Sequence, residues 1–337
     1  MNSEAQLIER IARAIPSQQG GELRLGIGDD AAIVAPTGKT DWLLSCDAFV
    51  ETVHFLSETH PADSVGYKAL VRAASDLAAK GATPRLFLLT LALPPSRTGA
   101  WLDSFLKGMG RAAQVLGMRL AGGDTTACPI VSISITVAGE APRGHAIRRS
   151  GARAGDIIYV SGRLGRAQLG LELVLGGSHR IPAFRKLLQP HLYPHIRIEL
   201  GAWLARHRVA SAMTDISDGL STDLGHLCTS SGVGARLWTD HVPRVEIPAR
   251  VTAKLGRTRL DGPLEMALHG GEDYELLFSV SPRKATLLRQ APEFAEAAAI
   301  GEITRGKQIL LVESNGRATQ LKPRGWDPFG RHSRRSR

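Results

Sequence analysis

Eight acidic residues stand in settings that chemistry could use: Asp29, Asp30, Asp47, Asp76, Asp124, Asp215, Asp218 and Glu272. Asp29-Asp30 follow Gly26-Ile27-Gly28, Asp124 follows Gly122-Gly123, Asp218 precedes Gly219, and Glu272 follows Gly270-Gly271. Asp47 closes the run Trp42-Leu43-Leu44-Ser45-Cys46, and Asp76 lies among alanines, where a charge costs free energy unless it is paired or metal-bound. Singly, each glycine-acid stretch reads as a solvated turn, because Gly and Asp are common turn residues. Recurrence changes that reading. Converging carboxylates repel one another unless cations neutralise them, and an all-oxygen ligand set suits a hard cation such as Mg²⁺. Mg²⁺ commonly bridges carboxylates to substrate phosphates, so the set implies phosphoryl transfer. The chain has no G-x-x-x-x-G-K-[ST] and no kinase glycine-rich loop with its catalytic-loop signature, so use of ATP would rest on a non-Walker fold.

The elements that must position these acids follow from periodicity. Residues 3–15 read as an amphipathic helix with Leu7, Ile8, Ile11 and Ile15 on one face. A strand over 41–50 carries Asp47, and 51–55 is expected to continue it. His54 in that continuation reads either as a phosphate or substrate contact or as a structural histidine. A helix over 63–80 stops at Gly81, a strand over 86–93 stops at Pro94-Pro95, and a helix over 101–116 stops at Gly117. Gly122-Gly123 would let backbone approach a ligand closely. Residues 131–139 alternate as a strand. In the second half 155–162 reads as a turn, a strand and a turn, 163–175 as helical, and 179–200 as partly irregular because of its prolines. Asp215 and Asp218 are three apart, so a helix or turn would put them on one side. Glu272 leads straight into another strand. The rhythm is α+β rather than doubly wound.

A chain of 337 residues with 43% hydrophobic and 22% charged content is globular, with a prior of two domains. Its net charge is +10, part of it in a basic tail at 331–337 that is expected to be disordered. Nucleic-acid binding is disfavoured, since 5% of residues are aromatic and no stacking motif is visible. Three scattered cysteines, Cys46, Cys128 and Cys228, suit a reducing compartment. No basic-then-apolar N-terminal pattern and no membrane-length apolar run is present, so a cytoplasmic protein is expected.

Over nearly its whole length, from Gly26 to Phe329, the chain resembles the thiamine-monophosphate kinases. They belong to the superfamily of aminoimidazole-ribonucleotide synthetase and selenophosphate synthetase. The likeness rests on Gly26-Ile27-Gly28-Asp29-Asp30-Ala31, Ser45-Cys46-Asp47 with His54-Phe55, and Ser75-Asp76-Leu77-Ala78-Ala79-Lys80-Gly81-Ala82. It continues through Gly122-Gly123-Asp124-Thr125-Thr126, Arg149-Ser150-Gly151-Ala152, Asp215-Ile216-Ser217-Asp218-Gly219-Leu220, Gly270-Gly271-Glu272-Asp273-Tyr274 and Gly325-Trp326-Asp327-Pro328-Phe329. Glycine-acid motifs mark the superfamily, whereas His54-Phe55 and the Trp326 ending point to this member.

The resemblance implies an N-terminal ATP- and Mg²⁺-binding domain over 1–148, whose mixed sheet pairs across a homodimer, and a C-terminal α/β domain over 149–330. It implies magnesium ligands at Asp30, Asp47, Asp76, Asp124, Asp215 and Asp218, with Ser45 and Cys46 contributing through backbone or side chain. ATP contacts fall on Gly123, Asp124, Arg149 and Ser217, and the thiamine-phosphate side on His54, Glu272 and Trp326. Asp30, Asp124, Arg149 and Asp218 are the residues placed closest to the transfer. The implied reaction is direct transfer of the ATP γ-phosphoryl group to thiamine monophosphate, with several Mg²⁺ ions. Three positions depart from the family pattern: Thr52 where Gly is common, Ala73 where Asn is common, and Cys46 where Thr is usual. Trp326 reads equally as a ring-stacking or thiazolium-facing contact and as an anchor of the C-terminal segment. The rivals are another ATP-dependent member of the superfamily, a non-catalytic nucleotide-binding regulator, and an RNA-binding protein.

Overall fold

The computed structural model describes residues 23–25, 29–34, 38–256 and 260–329. The expected helix over 3–15, Gly26 to Gly28 and the tail over 331–337 lie outside them. Two sheets account for the described strands. The first contains β1 (Leu23–Leu25), β2 (Ala32–Val34), β3 (Thr40–Val50), β4 (Thr83–Leu93), β5 (Arg119–Ala127) and β6 (Ser132–Pro142), in the order β1-β2-β3-β6-β4-β5. Only β4 and β5 pair parallel; the other neighbours are antiparallel. Helices α1 (Ala62–Ala79) and α2 (Ala100–Leu116) join Leu43, Phe49, Phe87, Ile133 and Ile135 in one apolar core on one face of this sheet. The opposite face carries exposed Leu44 and Leu88.

Strand β3 shows how sequence period becomes site geometry. Successive side chains of a strand point to opposite faces. Leu43, Ser45, Asp47 and Phe49 therefore share the face toward α1, and Leu44, Cys46 and Ala48 share the exposed one.

The helix opposite, α1, is packed on nearly all sides, with buried residues running from Ser64 to Ala79. Glycines permit this. A Cβ on Gly66 would lie 2.0 Å from the Phe105 carbonyl oxygen, one on Gly108 1.8 Å from that of Asp63, and one on Gly201 2.2 Å from that of Ala78. The helix ends where the Gly81 and Ala82 N–H groups donate to the Ala78 and Leu77 carbonyls, both at 2.9 Å, with Gly81 at φ +71°.

The second sheet contains β7 (Ile157–Val160), β8 (Ala210–Asp215), β9 (Gly234–Trp238), β10 (Leu276–Val280), β11 (Ala298–Thr304), β12 (Ile309–Val312) and β13 (Ala318–Gln320), in the order β13-β12-β9-β11-β7-β10-β8. Its helices are α3 (Arg166–Leu175), α4 (Arg185–Leu192), α5 (Ile198–Arg206), α6 (Leu220–Ser231), α7 (Ala249–Leu255), α8 (Pro263–His269) and α9 (Ala285–Arg289). Leu220, Leu224 and Leu227 of α6 and Leu268 of α8 pack with one set of sheet residues. Leu200 and Leu204 of α5, Leu288 of α9, and Ala78 and Ala79 of α1 pack with another. The end of α1 is thus shared between the two halves, and the acids gather at that joint.

The α+β reading holds, with two local corrections. Residues 51–55 do not extend β3. They form a turn in which the His54 N–H donates to the Val50 carbonyl at 2.9 Å and Thr52 adopts φ +69°. Residues 179–200 are more helical than expected, because Pro182 opens a short 3₁₀ turn rather than breaking the chain, and α4 follows directly.

Candidate active site

Six segments deliver side chains to one cleft: the turn at Asp29-Asp30, the inner face of β3, α1, the connector around Arg149, the end of β8 with the turn after it, and the loop before β10. One carboxylate oxygen each of Asp30, Asp76 and Asp215 lies within 4.8 Å of the others. Register explains part of this, since Leu276 of β10 pairs with Asp215 at the end of β8. The Ser45 hydroxyl donates to Asp76 and the Ser75 hydroxyl to Asp215 Oδ2 at 2.6 Å. Asp47, two residues beyond Ser45 on the same face, accepts from Arg72 Nε at 3.2 Å.

The electrostatics divide the cluster. Burial, then the charges of Asp47, Asp215 and Asp30, pushes the Asp76 carboxyl well above the ordinary range. Burial, then the Asp30 charge, pushes Asp215 up to about 7. Burial alone would raise Asp30 too, but Lys80 and Arg149 outweigh it and hold that carboxyl below the usual range. Lys80 Nζ lies 2.7 Å from Asp30 Oδ2 and also pairs with Asp29. The Arg149 guanidinium meets Asp30 Oδ1, its backbone N–H donates to Asp29 at 3.0 Å, and the Thr214 hydroxyl donates to Asp30 Oδ1 at 3.0 Å. An oxygen-only set with two crowded carboxylates, Asp76 and Asp215, that make no ion pair among the described residues fits a hard divalent ion.

A cavity of about 430 Å³ opens from this cluster, bounded on its other sides by His54, Glu272 and Trp326. Glu272 sits at φ +67°, held by its N–H donating to the Ser217 carbonyl at 2.7 Å. Lys68 Nζ lies 2.7 Å from its carboxylate and His191 Nδ1 3.2 Å. Burial opposes ionisation there, but Lys68 and His191 outweigh it and keep Glu272 well below the ordinary range. His54 Nδ1 accepts the Val50 N–H at 3.0 Å, which leaves any ring proton on Nε2. Burial, then Arg72, lowers His54 to about 4, so it faces the cavity as a neutral ring. The Trp326 N–H donates to the Asp218 carbonyl at 2.9 Å, while its side chain borders the cavity and is 36% exposed.

The structure therefore brings Asp30, Ser45, Asp47, Asp76, Arg149, Asp215, Ser217, Asp218, His54, Glu272 and Trp326 to one cleft. It does not bring Gly123, Asp124 or the Cys46 side chain there. Cys46 Sγ lies 3.4 Å from Ser134 Oγ on the opposite face of β3, so only its backbone is on offer to the cluster. Gly123 and Asp124 lie on β5, an edge strand whose nine residues are all exposed. Asp124 pairs with Thr90, which pairs with Ser134, which pairs with Ala48. That separation of three strand spacings is roughly 14 Å. Gly123 serves packing in this chain, since a Cβ there would lie 1.9 Å from the Leu89 carbonyl oxygen.

Sequence reasoning overlooked Lys68, Arg72, Lys80 and Thr214. A signal for three of them was present: Lys68, Arg72, Asp76 and Lys80 recur every four residues along α1, a single charged stripe on an otherwise small and apolar helix.

This fold and its acid cluster define a member of the AIR synthase related class. The family models described as AIR synthase related protein, N-terminal domain and C-terminal domain, match residues 28–141 and 153–312. Within that class the chain belongs to the thiamine-monophosphate kinase family. It is 36% identical over 312 residues to the thiamine-monophosphate kinase of Escherichia coli (strain K12), covering 91% of this chain and 93% of that one. It is 34% identical over 304 residues to that of Aquifex aeolicus (strain VF5), covering 90% and 92%. A solved structure described as AaThiL complexed with AMPPCP and TMP superposes with a TM-score of 0.84 at 32% identity, covering 97% of each chain. Hydrogenase maturation protein HypE in complex with ATP, at TM-score 0.64 and 22% identity over 87% of this chain and 88% of that one, shares the fold alone.

Proposed function

We propose that the chain transfers the γ-phosphoryl group of ATP to the phosphate of thiamine monophosphate, giving thiamine diphosphate and ADP. The observation that carries this reading is the Asp30–Asp76–Asp215 cluster opening into a cavity that presents ionised Glu272 and the Trp326 ring. Carboxylates at one end suit metal and phosphates. An anion and an aromatic face at the other suit a cationic thiazolium. The family supports the same substrates.

The acceptor is already anionic at neutral pH, so a phosphate oxygen can attack phosphorus directly while the bond to the ADP oxygen breaks. No strong general base is needed, and catalysis is alignment plus charge neutralisation. Mg²⁺ held by Asp30, Asp76 and Asp215, with Asp47, Asp218, Ser45 and the Cys46 backbone at hand, would supply that neutralisation. Arg149 fixes Asp30, and its buried Nε, which has no hydrogen-bond partner among the described residues, is a donor for a phosphate oxygen. Ser217, on the cavity wall, is at hand for ATP, and neutral His54 offers Nε2–H to the acceptor.

Asp124 and Gly123 can join this site only from a second chain. A homodimer pairing through the exposed face and β5 edge of the first sheet, with a division of the chain near residue 148, is the arrangement that uses them. The three free cysteines support a reducing, cytoplasmic setting.

Product analysis after mixing protein, ATP, Mg²⁺ and thiamine monophosphate tests the assignment. Thiamine diphosphate and ADP in equal amounts are expected, and unphosphorylated thiamine should not be an acceptor. Phosphorylation of thiamine with none of its monophosphate would overturn the reading.

A further inference from the structure

Lys80 has no part in the reaction proposed above, yet it sits at the heart of the acid cluster. Its side chain is fully buried, and its ammonium has oxygen neighbours: Asp29, Asp30 Oδ2 at 2.7 Å and the Met213 carbonyl at 3.3 Å. Two carboxylates and a carbonyl are also what a hard divalent ion would seek. The anchor is rigid, because Lys80 caps α1 four residues after Asp76 and is followed by the Gly81 turn.

Charge in the cluster can be counted. Leaving aside Asp218 of the turn after β8, Asp29, Asp30, Asp47, Asp76 and Asp215 would carry five negative charges once all are ionised, as holding an ion requires; Arg72 on Asp47, Arg149 on Asp30 and Lys80 carry three positive ones. Two negative charges remain, the equivalent of one divalent ion. They fall on Asp76 and Asp215, whose hydrogen bonds come from the hydroxyls of Ser45 and Ser75 rather than from cations.

We propose that Lys80 is a tethered cation holding the Asp29–Asp30 side of the cluster, so that the nucleotide-free chain takes a single divalent ion, on the Asp30–Asp76–Asp215 side. The inference rests on that cluster being the metal site. Metal brought in with ATP phosphates is additional. The rival role for Lys80 is a plain tether between the 29–30 turn and α1, which has no consequence for metal count.

Mn²⁺ titration of the full, nucleotide-free chain, read by electron paramagnetic resonance and by thermal unfolding, separates the two. Wild type should bind about one tight Mn²⁺ per chain and Lys80→Met about two, since the mutation frees two carboxylates for an oxygen-seeking ion. Mn²⁺ should raise the Tm of Lys80→Met more than that of wild type, because binding the folded state alone stabilises it. Lys80→Arg, which keeps the charge, should count as wild type, and Asp215→Asn should lose the tight site. A Lys80→Met chain that folds only with Mn²⁺ supports the proposal if it then holds about two tight ions and overturns it if it holds one. A folded Lys80→Met chain with unchanged stoichiometry and an unchanged Tm gain overturns it. If that variant never folds, the wild-type count decides: two or more tight ions refute the idea. Thiamine diphosphate formation by such a chain would leave the proposed function standing, whereas no Mn²⁺ binding at all would refute the metal reading of the site itself.

Discussion

Asp30 and Asp215 lie within one ion's reach of each other, yet their surroundings drive them to opposite protonation. Asp215 is pushed up to about 7 by burial and then by the Asp30 charge. Below the ordinary carboxylate range its folded and unfolded forms are both protonated. Between that range and about 7 only the unfolded chain releases its proton, so metal-free stability falls as pH rises through this window, by roughly 1.4 kcal/mol per unit at most. Chemical denaturation from pH 4 to 8 should show this slope in wild type and a shallower one in Asp215→Asn. The same variant should lose at least about 100-fold in kcat, since removing even an outer-shell partner of a metal costs 10–100-fold. Near-wild-type turnover would remove Asp215 from the site. Trp326 makes a second contrast. Its backbone carries the anchoring bond to Asp218 while its ring borders the cavity. Trp326→Ala should raise the KM for thiamine monophosphate by roughly 2–30-fold, the factor a cation–π or stacking contact represents, and leave the KM for ATP and the Tm close to wild type. A Tm loss with both KM values unchanged would make the ring an anchor only.

At the scale of elements, α1 organises the site. Its stripe of Lys68, Arg72, Asp76 and Lys80 pairs in turn with Glu272, Asp47, the acid cluster and Asp29-Asp30, reaching from the cavity to the far end of the acids. The helix can sit this deep because small residues let α2 and α5 approach its backbone. Gly108→Ala on α2 would drive a Cβ to 1.8 Å from the Asp63 carbonyl oxygen. It should destabilise the protein by about 1–3 kcal/mol, as overpacking does, and lower kcat with it. Gly110→Ala, two residues on and with nothing within 4 Å, should stabilise by about 0.5–1 kcal/mol through helix propensity. Urea denaturation of the pair checks this; equal effects would mean that the α1–α2 approach is not tight.

At the scale of the whole molecule, the described chain leaves Gly123 and Asp124 on an exposed edge, away from the cleft. Leu88 on β4 and Leu120 on β5 are 45% and 58% exposed. If the site is completed by a second chain, light scattering should give twice the 36.1 kDa mass of one chain. Asp76→Asn and Asp124→Asn, each inactive alone, should then regain activity when refolded together. Random pairing gives one intact site in half of the dimers, hence about a quarter of wild-type turnover. No regain from a mixed dimer would place Asp124 outside catalysis or within its own chain's site.

The sequence by itself determined the α+β class, the strand and helix spans that carry the acids, and the glycine-acid motifs that mark the family, because period and turn chemistry are local. Ser45 and Asp47 facing inward while Cys46 faces outward is a consequence of a period of two, legible once 41–50 is read as a strand. What only the tertiary structure decided is which charges meet. Thr214 reaches Asp30 across 184 residues of chain, Ser75 reaches Asp215 across 140 and Lys80 reaches Asp29 across 51. No local pattern encodes such pairings. They arise because α1 is buried between the two sheets, and a charge carried into that joint has to find its partner on whichever element closes over it.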